Sequence, residues 1–149
     1  MHSNYQTIKV DFHKHIATIR LNRPELFNAI NGVMAKELKQ AFDRLSDDDN
    51  VKCIILTGEG KAFCSGQDLN EFKDMSELSI QEVLQSRYNP LVMSMHNCPK
   101  IIIGKINGIA TGAGLSLALS CDFTVAIESA VFSVSFVNIG LVPDCGASY

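Results

Sequence analysis

Residues Ala110-Thr-Gly-Ala-Gly-Leu-Ser-Leu-Ala-Leu-Ser120 follow directly on the strand-like run Ile101-Ile-Ile-Gly-Lys-Ile106. The pattern is a strand, a glycine-rich turn and the start of a small-residue helix. Such a turn leaves backbone N–H groups unpaired at a helix N-terminus, where they can bind negative charge. A second turn of this kind, Phe63-Cys-Ser-Gly-Gln-Asp-Leu69, follows the apolar run Cys53–Thr57. Two amide-presenting turns in one small chain point to an oxyanion hole, with the N–H of Ser65 and an amide near Ala113 as donors. Asp144 is the carboxylate of interest, set in the apolar stretch Ile139-Gly-Leu-Val-Pro-Asp-Cys-Gly146. Burial would raise its pKa and suit it to proton transfer. Pro143-Asp144 followed by Gly146 also reads as an ordinary turn, and from these residues alone that is the plainer reading.

Other chemistries fit less well. Gly112-Ala-Gly114 fails as a dinucleotide fingerprint at Leu117, and no Gly-Lys-Ser/Thr follows to make a P-loop. The same glycines could serve only to bring helix and strand close together. Ser65 lacks a nucleophile elbow and an evident histidine partner, and Cys64 is no better placed. Asp68 reads as a cap for the helix that follows, with Glu71 in its first turn. His13 and His15 share a strand face without a third ligand, and Asp47-Asp-Asp49 lacks the glycine and glutamate of a calcium loop. No metal site is expected.

The elements that must hold these turns are legible from periodicity. Tyr5–Val10 and His15–Leu21 alternate as a hairpin, with Asp11–Lys14 turning between them. Asn22–Asn28 is a loop, since Pro24 disfavours helix at Arg23. Val33, Met34, Leu38, Ala41, Phe42 and Leu45 form one helical face. Val51–Thr57 is a buried strand, Gly58–Leu69 a loop, and Ile80–Asn97 a helix broken by Cys98-Pro99. Ile101–Ile106 is a strand, Ala113–Cys121 a helix, and Phe123–Ile127 a strand. Ala130–Phe132 and Asn138–Leu141 are short extended pieces. Strands alternating with helices define an α/β domain with right-handed crossovers, whose sites lie on loops at the carboxyl ends of strands.

Composition narrows the class. The chain has 149 residues, enough for one domain, and at 46% hydrophobic and 19% charged it can build a core. A net charge of −3 and the lack of tryptophan argue against a nucleic-acid partner. The five cysteines are odd in number and form no C-x-x-C pair, which fits a reducing compartment. The polar start Met1-His-Ser-Asn-Tyr-Gln has no signal-type apolar core, and Gly108–Ile127 is too rich in small polar residues for a membrane span. A soluble, cytoplasmic protein is expected.

Five segments, in order, resemble the enoyl-CoA hydratase/isomerase (crotonase) superfamily. They are Leu21-Asn-Arg-Pro-Glu-Leu-Phe-Asn-Ala-Ile30, Ile54-Ile-Leu-Thr-Gly58, Ala62-Phe-Cys-Ser-Gly-Gln-Asp-Leu69, Ile106-Asn-Gly-Ile-Ala-Thr-Gly-Ala-Gly114, and Cys121-Asp122 with Ile139-Gly-Leu-Val-Pro143. The resemblance implies a ββα spiral that binds acyl-CoA thioesters. It places the thioester oxygen between the amides of Ser65 and Ala113, and the bound substrate along Gly66, Gln67, Asp68 and Gly114. Coenzyme A would arrive with the substrate, and no other cofactor is implied. The family's two hydratase glutamates correspond to Ser116 and Phe136, so neither is present. An acid at Asp144 instead resembles the isomerase branch, most closely the ring-1,2-epoxyphenylacetyl-CoA and Δ3,Δ2-enoyl-CoA isomerases. Glu25 replaces the lysine often found near the CoA phosphates. The resemblance further implies a role in fatty-acid or aromatic-acid degradation and a homo-trimer or hexamer. Residues 1–149 look like the N-terminal part of such an enzyme, without the C-terminal helical region.

Overall fold

The computed structural model describes residues 5–71 and 79–148. Two strands, β1 (Ile8–His13) and β2 (Ile16–Leu21), form the expected hairpin. The first strand starts later than its alternation predicts and continues to His13, because the turn is tight and Lys14 supplies it with a φ of +53°. The loop after β2 contains a 3-10 turn, Pro24–Leu26, and leads to α1 (Gly32–Asp47). Asn31 caps α1 by accepting the Met34 N–H at 2.8 Å. The buried face of α1 holds Met34, Leu38, Ala41, Phe42 and Leu45 as expected, whereas Val33 faces solvent.

The rest of the chain repeats one unit. Strands β3 (Cys53–Gly58) and β4 (Ala62–Cys64) precede a helical rod over residues 80–96. This rod comprises α2 (Ile80–Val83), a π turn at Leu84–Tyr88 and α3 (Asn89–His96). Strands β5 (Ile101–Ile106) and β6 (Ile109–Thr111) precede α4 (Ala113–Leu119). Strands β7 (Phe123–Ala126) and β8 (Phe132–Ser133) precede a 3-10 turn, Ser135–Ile139. Odd-numbered strands enter a sheet of order β1-β2-β3-β5-β7, and the short even-numbered ones build a second sheet, β4-β6-β8. All pairings are parallel except β1 with β2.

This is the mixed α/β architecture expected from the alternation of elements. Two short strands, β4 and β6, lie inside segments that read as loop and turn. Asn138–Leu141, expected to be extended, instead begins within the last 3-10 turn, and Gly140 follows it at φ +73°.

The core joins α1 to the five-stranded sheet through Ile19, Leu21, Ile54, Leu56 and Phe42. Burying a side chain of this size contributes about 1.5–3 kcal/mol. The buried Glu37 carboxylate is paired. Glu37 accepts Gln6 N at 2.7 Å and Thr7 N at 2.9 Å, fastening the first strand to α1. The edge after β7 is different: Phe123 and Val125 are 62% and 63% exposed. Val131, Val134, Val137 and Val142 are exposed as well.

Candidate functional site: two turns and a buried carboxylate

The site is built where β4 and β6 end. Parallel pairing of Ala62 with Ile109 and of Cys64 with Ala110 sets the two strand ends side by side. Each glycine turn therefore begins beside the other. Gly66, at φ +96°, lets the turns approach, since a Cβ there would lie 2.9 Å from Thr111 O and 3.4 Å from Ala113 N. Gly112 has φ +52° and ψ −127°, a conformation other residues adopt only under strain. Gly114 provides clearance instead, because a Cβ there would lie 2.3 Å from Cys64 O.

A cavity of about 210 Å³ opens at this junction. Of the residues expected at the site, Ser65, Gly66, Gln67, Ala113 and Asp144 line it. The walls include Leu69, Val83, Leu84 and Phe136. Asp68 and Gly114 do not line it. The Asp68 carboxylate turns away and pairs with Arg23 at 2.9 Å, where the two side chains are 7% and 15% exposed. Its other oxygen accepts Asn70 N at 3.1 Å, and residues 72–78, where the helix it is expected to cap would run, lie outside the described residues. Glu71 serves another helix: both its carboxylate oxygens accept Gly32 N, at 3.0 and 3.2 Å, at the start of α1.

The amide directions correct one expectation. Ser65 N donates to Phe27 O at 3.0 Å, so this N–H is already used. The acceptor is held in place by Asn28, which is fully buried. Asn28 Nδ2 donates to Glu59 O and Ala62 O, each at 2.9 Å, while Oδ1 accepts Arg23 N at 2.9 Å. The next turn of backbone pairs with Ile30. Ile30 N donates to Gly66 O at 2.7 Å and Asp68 N donates to Ile30 O at 2.8 Å. In this parallel bridge the intervening residue, Gln67, directs its own N–H away from Ile30. No acceptor for Gln67 N occurs among the described residues. The first intrahelical bond of α4 runs from Ser116 N to Gly112 O, which leaves Ala113 N without an intrahelical partner. The two free amides at the cavity are thus those of Gln67 and Ala113.

Asp144 is both turn and carboxylate. Ala147 N donates to Asp144 O at 3.0 Å, with positive φ values of 52° at Cys145 and 82° at Gly146 between them. Ser116, fully buried on α4, donates its hydroxyl to the same carbonyl at 2.9 Å. These bonds fix the backbone, while Asp144 Oδ1 is buried with no partner among the described residues. Burial raises the Asp144 pKa above the usual carboxylate value. Phe136 is 6% exposed, and it lines the cavity. Cys64 does not line the cavity, and burial pushes its thiol up to about 12, so it is no nucleophile. The described residues contain no cluster of metal-ligating side chains and no helix long and apolar enough to cross a membrane.

A three-residue strand bearing a glycine turn, doubled in parallel beside a half-buried acid, defines a crotonase-type fold. The sequence model of the family described as Enoyl-CoA hydratase/isomerase matches residues 11–149, and the chain belongs to that family. It is 40% identical over 98% of its length to a Rhodobacter capsulatus protein named "Probable enoyl-CoA hydratase", covering 56% of that protein. It is 39% identical over 91% of its length to the 1,2-epoxyphenylacetyl-CoA isomerase of Escherichia coli K12, covering 53% of it. The crystal structure of an enoyl-CoA hydratase from Polaromonas sp. JS666 superimposes with a TM-score of 0.84 at 31% identity, over 93% of this chain and 55% of the other. The chain spans about half the length of the curated relatives it matches, as the 56% and 53% coverages show.

Proposed function

We propose that the protein is an acyl-CoA isomerase that shifts a double bond through an enolate. The carrying observation is the unpartnered, buried Oδ1 of Asp144 in a cavity that also receives two free amides. The thioester makes the C2 proton of a 3-enoyl-CoA acidic. Asp144 accepts that proton, the C2–H electron pair forms the enolate, and the negative oxygen lies at the amides of Gln67 and Ala113. The protonated Asp144 then delivers the proton to C4, and the electrons return as a C2–C3 double bond. Each amide donor to such an oxyanion is worth about 10²–10³ in rate, and a positioned acid/base about 10²–10⁴. Coenzyme A enters as part of the substrate, and the reaction needs no further cofactor.

Hydration is less well supported. Ser116 and Phe136 stand at the two positions where hydratases of the family carry glutamates, so water has no carboxylate pair to activate it. The apolar walls suit an aliphatic or aromatic acyl group, in keeping with fatty-acid or aromatic-acid degradation. The exposed apolar edge at Phe123 and Val125 favours association into a homo-trimer or hexamer, or acyl-CoA binding without turnover if the edge stays uncovered.

The test is incubation with a 3-enoyl-CoA in D₂O, read by mass spectrometry and the absorbance of the conjugated thioester. Conjugation with deuterium incorporation and no added water is the expected result. Mass gain of one water would favour the hydratase. Binding without exchange in a folded sample would leave only the acyl-CoA-binding function.

A further inference from the structure

The rod over residues 80–96 does not face the cavity with the side chains that plain α-helical spacing would choose. In a continuous α-helix a residue seven positions after Ile80 returns to within roughly 20° of it, and one eight positions after lies roughly 80° away. Arg87 would then share the wall with Ile80, and Tyr88 would turn aside. The structure has the reverse: Ile80, Leu84 and Tyr88 line the cavity, and Arg87 does not. The π turn Leu84–Tyr88 accounts for the exchange, because its wider turn delays the register by one residue, a device that recurs at functional sites. Arg87 instead pairs with Glu71 Oε2 at 2.7 Å and covers the start of α1, where a Cβ on Gly32 would lie 2.9 Å from the guanidinium carbon. A cation is thus kept out of the wall and an aromatic ring stands in its place.

The Tyr88 ring is fixed at both ends. It is 3% exposed, the helix holds its Cβ, and its hydroxyl donates to Gln67 Oε1. That acceptor is itself tethered, since Gln67 Nε2 donates to Asp68 O at 3.2 Å and to Glu71 Oε2 at 3.3 Å. Burial holds the phenol well above its ordinary pKa, so it stays a donor. Phe136, from the 3-10 turn Ser135–Ile139, brings a second buried ring to the same cavity. Tyr88 and Phe136 are the two aromatic side chains among its lining residues. We propose that they are specificity-determining residues that select a planar, ring-bearing acyl group over a linear or puckered one. A pinned ring offers a flat wall that does not rotate aside. An aromatic pair adds about 2- to 12-fold in affinity beyond what its buried area gives, and a linear chain gains none of it.

This assignment rests on the acyl-CoA reading above, and its test separates the two. The probes are 3-phenylpropanoyl-CoA and 3-cyclohexylpropanoyl-CoA, which carry the ring beyond C2 and have no double bond to shift, so binding is read without turnover. Each is titrated into the full chain by calorimetry. The saturated ring has the larger apolar surface, so burial alone favours it. The parent should instead bind the phenyl compound about fivefold more tightly or better. Tyr88→Leu should reduce that preference at least twofold while the cyclohexyl compound keeps its dissociation constant within about threefold. Phe136→Leu, on a separate element, should do the same and serves if the tyrosine variant does not fold. Equal binding of the two probes by the parent, or an unchanged preference in either folded variant, overturns the assignment and leaves the acyl-CoA reading in place. Failure of both probes to bind overturns both. A parent that discriminates as expected but does not conjugate a 3-enoyl-CoA refutes the isomerase function and supports the substrate class.

Discussion

Replacing Gly114 with alanine sets helix propensity against packing. By propensity alone, the change within α4 should stabilise by about 1 kcal/mol. The surroundings predict the opposite. A Cβ at this position would lie 2.3 Å from Cys64 O and 2.8 Å from both the carbonyl carbon and Cβ of Cys64, against an ordinary contact of 3.4 Å or more. The obstacle is the backbone of a fully buried strand, so no side-chain rotation relieves it. Relief takes about 1 Å of separation between β4 and α4, and overpacking of this kind costs roughly 1–3 kcal/mol. With the propensity gain subtracted, Gly114→Ala should lose up to about 2 kcal/mol. The same movement opens the junction between the Gly66 turn and Ala113 N, and a 1 Å misplacement of positioning groups costs about 10²-fold in rate. Urea unfolding measures the first effect, and deuterium exchange at C2 of a bound acyl-CoA the second. A variant as stable as the parent, with parental exchange, would refute the packing argument and with it the claim that Gly114 sets the distance between the turns.

Asp144→Asn should lower exchange by about 10²–10⁴ while acyl-CoA still binds, read by the same D₂O assay. In the parent, exchange needs the Asp144 carboxylate, so its rate should climb with pH through a pKa raised by burial; an acid limb near the ordinary value of about 3.9 would contradict that burial. Between the ordinary and the raised pKa the folded state binds more protons than the unfolded one, so Asp144 subtracts stability as pH rises there, and Asp144→Asn should flatten that slope in urea titrations. Ser116→Ala removes one donor to the Asp144 carbonyl and should cost about 0.5–1.5 kcal/mol, with kcat falling at unchanged KM. Arg23→Ala leaves the Asp68 carboxylate, 7% exposed, without its cation and should cost about 3–5 kcal/mol in unfolding titrations; a negligible cost would mean that water reaches Asp68.

Long periodic elements were legible in the residues. The apolar face Met34–Leu45 and the run Ile101–Ile106 each span enough positions for a period to show, and both lie where the pattern places them. The strands β4 and β6 have three residues each, less than is needed to display alternation, and both merge into glycine-rich sequence. Their strand character comes from pairing with each other and with β8, which is a tertiary fact. Val33 shows the opposite failure. It satisfies the helical spacing, but in the first turn of α1 it stays 43% exposed while Met34 and Leu38 are buried.

The candidate site follows the same division. The glycine turns and Asp144 carry local signals, namely residues that permit tight turns and a carboxylate among apolar neighbours. Amide direction carries none. Whether Ser65 or Gln67 faces the cavity depends on which of them meets a distant acceptor, and Phe27 O claims Ser65 N because Asn28 binds the loop to β4. Tyr88 and Arg23 are equally silent in sequence, since their partners lie 21 and 45 residues away. The parallel register is what makes these scattered choices converge. By placing Cys64 against Ala110 it brings two turns to one point, so that an amide freed in either turn reaches the same cavity. A one-residue slip in that register would exchange the faces of β4 and β6 and separate the Gln67 and Ala113 amides, even with every motif intact.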